Sequence, residues 1–249
     1  MNLQLIRNAT MKITYAGRTI LTDPMLAPKD AYNPFVGVAR NPTVGLPFAT
    51  EEIVSGIEAV LVTHDHPDHM DAEARRILPK EMPLFCQPSD EAAMTTAGFE
   101  NVIPVETSRT WEGIEIVRTG GFHGAGKILE HMGAVSGFVL RAEGEPTVYW
   151  IGDSIWCDPV KKAIDDFQPD VIISHSGGAA FPGHGFIVMD DIQTLRVAKA
   201  APESVVVAVH MEALDHCGVS RKSLRERSDR ESIPSSRLLI PEDGETLLF

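Results

Sequence analysis

Apolar and polar positions alternate along this chain with two distinct periods. Leu3–Ile6, Lys12–Tyr15 and Thr19–Leu21 read as short strands, the last two joined through Gly17, and together they predict an N-terminal meander. Ala59–Val62 is an unbroken apolar run ending at Thr63, the pattern of a buried strand. Asp71–Leu78 follows as a helix that Asp71 can cap and Pro79 stops. Further strands are predicted at Leu84–Cys86, Val102–Val105 and Ile114–Thr119, with a helix at Asp90–Ala97 closed by Gly98. In the second half, Gly137–Arg141 and Thr147–Ile151 read as paired strands around Glu143-Gly144-Glu145-Pro146. A helix at Pro159–Phe167, a buried strand at Val171–Ser174, a helix at Asp190–Ala201 and an apolar strand at Val205–Val209 come next. The end is predicted to hold a short helix near Ser220–Arg227 and a closing strand pair around Arg237–Ile240 and Thr246–Phe249.

Strands, then strand–helix alternation, then the same again imply two α/β halves packed sheet on sheet with helices outside. No composition shift or Gly/Ser-rich linker divides them, so a single domain over residues 1–249 is expected. One stretch, Asp23–Phe48, follows neither period and holds Pro24, Pro28, Pro34, Pro42 and Pro47. Irregular segments of that length are usually functional or disordered. With Tyr32, Phe35, Val36 and Phe48 inside it, this one reads as a packed lid.

Composition narrows the partners. The chain is 43% hydrophobic and 23% charged, the balance of an ordinary folded protein. Its 22 basic and 35 acidic side chains leave a net charge of −13, which repels nucleic acid and anionic membrane surfaces. A small anionic substrate stays compatible, because a bound metal reverses the potential locally. Cys86, Cys157 and Cys217 are odd in number and widely spaced, which reads as reduced thiols in a cytoplasmic protein. The opening MNLQLIRNATMKITYAG reads as neither signal peptide nor anchor, and no apolar run approaches the roughly 20 residues of a membrane span. Oligomeric state is not legible.

The chemistry concentrates in Ala59–Met70, AVLVTHDHPDHM. A buried strand ends at Thr63 and the chain then presents His64, Asp65, His66, Pro67, Asp68 and His69. Residues two apart in extended chain point the same way, so His64 and His66 can grip one ion together. Asp68 and His69 follow the turn at Pro67 and can aim at a neighbouring point. Imidazole and carboxylate suit Zn²⁺, Mn²⁺ or Fe. Three of nine histidines in six positions directly after a core strand make a chance polar loop improbable.

His-x-His-x-Asp-His after an apolar strand resembles the motif of the metallo-β-lactamase superfamily. That resemblance implies an α/β fold built as a four-layer αββα sandwich of two pseudo-symmetric halves. It extends to Asp23 in TILTDPM, His123 in TGGFHGAGK ahead of Gly137-Phe138, Asp153 in VYWIGDSIW and His210 in VVVAVHMEA. All these elements occur in order, between roughly Ile20 and Glu212. By resemblance, His64, His66 and His123 hold one divalent ion, Asp68, His69 and His210 hold a second, Asp153 bridges, and Asp23 supports the site from behind. Zn or Mn is the implied pair, with Fe also compatible. Two such ions activate a shared water and clamp the attacking and leaving oxygens. Asp68 has a second implied role as proton shuttle and is the catalytic candidate. Two carboxylates only partly neutralise two divalent ions, so a locally positive pocket and an ester, lactone or phosphate substrate are expected.

Further polar residues flank this set. His175 ends the Val171–Ser174 strand and either orients substrate or supports His210. His184, in the Gly-rich turn of SHSGGAAFPGHG, reads as a surface residue unless that loop folds over the pocket. His216 in EALDHCG can line the same rim, and Lys127 and His131 read as a solvated loop face. The leading expectation is a small-molecule metallo-hydrolase resembling the single-domain branch that contains ascorbate-phosphate lactonases, its specificity set by Asp23–Phe48 and Gly120–Val135. Phosphodiester cleavage of nucleic acid needs a basic tract that the interrupted run Arg221–Arg230 does not supply. Iron-dependent persulfide oxidation is the redox alternative. A metal-free binding module is disfavoured, because carboxylates buried among imidazoles are costly without a cation.

Overall fold

The computed structural model describes residues 1–249. Its fourteen strands, in chain order, are β1 (Asn2–Arg7), β2 (Thr10–Tyr15), β3 (Arg18–Thr22), β4 (Ala59–Leu61), β5 (Leu84–Cys86), β6 (Val102–Pro104), β7 (Ser108–Trp111), β8 (Ile114–Gly120), β9 (Ser136–Arg141), β10 (Val148–Trp150), β11 (Val171–His175), β12 (Val205–Val209), β13 (Leu238–Leu239) and β14 (Thr246–Leu248). The helices are α1 (Thr50–Val54), α2 (Ala72–Ile77), α3 (Glu91–Thr96), α4 (Leu129–Met132), α5 (Asp158–Phe167), α6 (Asp191–Ala200) and α7 (Arg221–Arg230). One sheet runs β14-β1-β2-β3-β4-β5-β6 and the other β13-β12-β11-β10-β9-β8-β7.

The two sheets repeat one plan. The links β14–β1–β2–β3 are antiparallel and β3–β4–β5–β6 parallel. Likewise β7–β8–β9–β10 are antiparallel and β10–β11–β12–β13 parallel. This is the αββα sandwich with two pseudo-symmetric halves, and its hydrophobic clusters mark the layers. Leu5, Ile13, Tyr15 and Phe85 of one sheet meet Phe138, Trp150, Ile173 and Val207 of the other in the central core. The Tyr15 hydroxyl reaches across it to donate to the Pro146 carbonyl at 2.8 Å. Ile53, Ala74 and Met94 of α1–α3 cover the outer face of the first sheet. Val160, Ile164, Leu195 and Leu224 of α5–α7 cover the second. In α5 the spacing Val160, Ala163, Ile164, Phe167 is one helical stripe, turned onto the sheet.

The chain termini depart from expectation. Arg237–Ile240 and Thr246–Phe249 do not pair with each other: β13 adds parallel to β12, and β14 crosses to the other sheet to lie antiparallel to β1. Each strand meets an open edge, and the Glu242–Glu245 turn carries the chain between them. The short elements α1, β7 and α4 carry too little periodic pattern to stand out in the sequence.

Asp23–Phe48 is ordered without regular structure. The buried Arg7 guanidinium donates to the carbonyls of Met25 (2.8 Å), Ala27 (2.9 Å) and Val44 (3.1 Å). Asp71, capping α2 through the Ala74 amide at 2.6 Å, turns its other oxygen to the Ala27 amide at 2.7 Å. No helix is long and apolar enough to cross a membrane.

Candidate metal centre

Strands β3, β4, β8, β10, β11 and β12 end at one rim, and the candidate residues sit at or just beyond those ends. Asp23 follows β3, His64–His69 follow β4, His123 follows β8, Asp153 follows β10, His175 ends β11 and His210 follows β12. Side chains beyond the carboxyl ends of neighbouring strands converge because no further pairing claims the backbone there.

His64, His66 and His123 place ring nitrogens within 4.8 Å of one another, His64 Nε2 lying 2.9 Å from His66 Nδ1. His123 Nδ1 lies 2.9 Å from the Ile187 carbonyl, which only accepts, so Nδ1 carries the proton and Nε2 presents its lone pair. Burial, reinforced by His69 and His66, pushes the His64 pKa well below its ordinary value. Burial likewise drives His123 down to about 4, against the pull of Asp153.

The second group is His69, Asp153 and His210, with Asp68 beside it. His69 Nε2 lies 3.2 Å from Asp153 Oδ2 and 3.5 Å from Asp68 Oδ2, and His210 Nε2 lies 3.2 Å from Asp68 Oδ2 and 3.5 Å from Asp153 Oδ1. Burial opposes charge on His69, but Asp153, Asp68 and Asp23 outweigh it and raise its pKa to about 10. On His210 burial is outweighed by Asp153 and Asp68, and its pKa rises well above the usual range. On Asp68 and Asp153 burial is outweighed by these imidazoles, which hold both carboxyls far below the carboxylate range.

The donor set fits divalent cations. Three imidazoles crowd one point, with Asp153 Oδ2 3.6 Å from His123 Nε2, and His69 Nε2 is buried without a hydrogen-bond partner of good geometry. Without an ion, protons on His69 and His210 must neutralise the two carboxylates. A cation satisfies the same groups and releases those protons.

Three residues hold the cluster from behind. Asp23 accepts from the Thr63 amide at 2.8 Å and the Thr63 hydroxyl at 2.9 Å, and faces His69 Nδ1 at 3.2 Å. The Trp150 indole N–H donates to His175 Nε2 at 3.0 Å. Indole only donates, so the His175 proton sits on Nδ1, 2.6 Å from Asp153 Oδ1. His175 also lies within ligand distance of His69, Asp153 and His210, but both its nitrogens are engaged and it orients Asp153. Cys217 Sγ packs 3.7 Å from His210 Nδ1. Gly177 permits the approach, since a Cβ there would overlap the His210 carbonyl and come within 2.9 Å of Cys217 Sγ.

A cavity of about 200 Å³ opens over the cluster, lined by His66, Asp68, His123 and Asp153 below and by Phe35, Met132, Phe181, Ile187 and His216 around it. His216 therefore faces the same space as the cluster. His184, Lys127 and His131 are exposed and lie outside this cavity. The contacts of Thr63, Trp150 and Cys217 have no local sequence pattern and were not anticipated from the sequence.

An αββα sandwich with histidine and aspartate clusters at one strand-end rim defines the metallo-β-lactamase class of fold. The chain belongs to that superfamily: residues 18–211 match the family described as the Beta-lactamase superfamily domain. It is 38% identical to the UPF0173 protein YddR of Bacillus subtilis, covering the whole of both chains. Among solved structures, a possible metal-dependent hydrolase from Veillonella parvula superposes with TM-score 0.95 at 38% identity, covering 99% of this chain and 98% of that one. An isothiocyanate hydrolase from Delia radicum gut bacteria gives TM-score 0.94 at 36% identity over 100% and 99% of the two chains.

Proposed function

We propose that this protein is a metal-dependent hydrolase of small, uncharged carbon electrophiles, isothiocyanates first among them, with small esters and lactones presenting the same kind of reacting carbon. The cavity carries this reading. Its walls are Phe35, Met132, Phe181 and Ile187, and no lysine or arginine lines it. Apolar walls reward an apolar substrate body at about 25 cal/mol per Å² buried, and a phosphate ester would have only the ions, with no lysine or arginine beside them, to meet its charge. The likeness to the isothiocyanate hydrolase supports the same class.

His64, His66 and His123 are the ligands we assign to one divalent ion, and Asp68, His69, Asp153 and His210 to the other, Asp153 between them. Such ions, Zn or Mn with Fe compatible, would supply Lewis-acid polarisation and lower the pKa of bound water towards roughly 7. Asp23 and His175 hold His69 and Asp153 in the orientation and protonation that ligation needs. Asp68 lines the cavity, which supports assigning it the proton transfer. For an isothiocyanate, the oxygen of water bonds to the central carbon and the nitrogen takes up protons. Cleavage of the C–N bond then gives an amine and carbonyl sulfide, R–NCS + H₂O → R–NH₂ + COS. The three unpaired cysteines accord with a reducing, cytoplasmic setting.

The test is a panel of alkyl and aryl isothiocyanates, lactones, esters and phosphodiesters, with and without chelator. Amine and carbonyl sulfide released from isothiocyanates, and abolished by chelation, is the expected outcome. Chelator-insensitive turnover, or turnover of phosphodiesters alone, overturns it.

A further inference from the structure

Residues 35–39 bring Phe35 to the cavity wall, and a single carboxylate holds them there. Asp215 Oδ1 accepts from the Phe35 amide at 3.0 Å and from Asn41 Nδ2 at 2.9 Å. Its Oδ2 accepts from the amides of Val36 at 3.2 Å, Val38 at 3.1 Å and Ala39 at 3.4 Å. The grip is reciprocal, because the Asp215 amide donates to Asn41 Oδ1 at 2.8 Å and Asn41 is fully buried. Successive backbone N–H groups converging on one carboxylate make a charge-assisted cradle, stronger than the same bonds to a neutral acceptor. A modest cost of burial is outweighed by Asn41 and the amides of Phe35, Val38 and Val36, which hold the Asp215 carboxyl below the usual range.

Asp215 lies in the segment after β12, five residues beyond His210 and next to His216. The Phe35 ring stands edge-on to the His216 imidazole with centroids 5.2 Å apart, and Phe181 lies 5.6 Å from that imidazole. His216 Nδ1 is buried without a partner. All three rings line the cavity over the cluster. Phe35 itself packs against Met25, Ala213 and Leu214, but Val38 at the loop's tip is 78% exposed, so the polar grip on residues 36–39 comes from Asp215.

We propose that Asp215 is a specificity-determining positioning residue, a latch whose carboxylate holds residues 35–39 as the roof of the cavity and sets Phe35 as the wall that selects an apolar substrate body. This rests on the cavity being the substrate site. Asp215 acts through Phe35 and touches neither the substrate nor the ions. Its loss therefore weakens recognition of bulky apolar groups and leaves the chemistry at the cluster intact.

The test uses the metal-loaded enzyme and two metal-directed probes, acetohydroxamate and phenylacetohydroxamate, which share a head group and differ in apolar body. In Asp215→Asn, one oxygen becomes an amide that faces the loop N–H groups and cannot accept. Phenylacetohydroxamate should then bind about tenfold more weakly, the scale of losing apolar contact over one ring face. Acetohydroxamate should bind within about twofold of wild type, and a protease should nick the chain within residues 35–40. The KM for phenethyl isothiocyanate should rise by the same factor as the phenyl probe weakens, with kcat unchanged. Phe35→Ala should reproduce the loss, and the double variant should be no worse than Phe35→Ala alone, as for two residues acting through one contact. Asn41→Ala, which removes one side of the grip, serves if Asp215→Asn does not accumulate as folded protein. Equal weakening of both probes, loss of bound metal, or multiplying effects of Asp215→Asn and Phe35→Ala overturn the latch. If the wild type hydrolyses no isothiocyanate, the proposed function fails while the probe ratio still judges the latch.

Discussion

Asp23→Asn isolates how the protein sets the ligand form of His69. The side chain is buried and the change nearly isosteric, so packing is preserved. The backbone at Asp23 has φ of 41°, a left-handed conformation that asparagine tolerates as readily as aspartate, so no strain is added. The amide oxygen can keep the 2.8 Å bond from the Thr63 amide, and the Thr63 hydroxyl can rotate to accept from the new NH₂ group. The hydroxyl can reorient, but the contact to His69 Nδ1 inverts at a cost: a donor now faces it, so Nδ1 must accept and the proton moves to Nε2. That nitrogen is the one that faces Asp153 and Asp68 and would bind the ion. Outer partners of metal-bound histidines are worth about 10–100-fold in affinity, or roughly 1.4–2.7 kcal/mol. Competition against a chelator, with metal content followed by elemental analysis, should show one ion weakened by this factor and the ion at His64, His66 and His123 retained. Wild-type affinity for both, or a loss confined to the histidine trio, would refute the tautomer argument.

Other outcomes follow from the same geometry. His66→Ala removes a half-buried nitrogen from the trio and should abolish turnover with the circular dichroism spectrum unchanged; wild-type activity would break the assignment of the cluster. In the metal-free protein, His69 has its pKa raised from 6.5 to about 10, and His210 is raised as well. Their stabilisation is full below pH 6.5 and is lost as pH rises towards 10, so the metal-free Tm should fall between about pH 7 and 9.5. The loaded protein, where cations replace those protons, should show no such fall, and identical profiles would count against the exchange. Gly177→Ala forces a methyl group against the His210 carbonyl, and overpacking of this kind costs about 1–3 kcal/mol. Calorimetry should record a lower Tm, at ~2–4 °C per kcal/mol, with loss of the ion assigned to His210; an unchanged Tm would show that the segment yields freely.

Periodicity in neighbouring residues was enough to read most elements, because burial of one face is a local demand. Ala59–Val62 had to be a buried strand, α5 had to turn one stripe inward, and Asp71 had to cap its helix, as it does. The His64–His69 cluster was legible for the same reason, its donors lying within six consecutive positions. His123, Asp153 and His210 lie far apart in the chain, and only the ordered resemblance to a family suggested that they converge. Partner choice between distant segments was beyond any local pattern: β14 carries the alternation of a strand, but its pairing with β1 spans nearly the whole chain. The same holds for the contacts behind the candidate site. Trp150 reads as a core aromatic and Asp215 as a loop residue until the fold brings one to His175 and the other to five donors on residues 35–41. Strand order, set by which edges are left open, decided those meetings, and a hydrogen bond across 180 positions leaves no trace in the residues beside it.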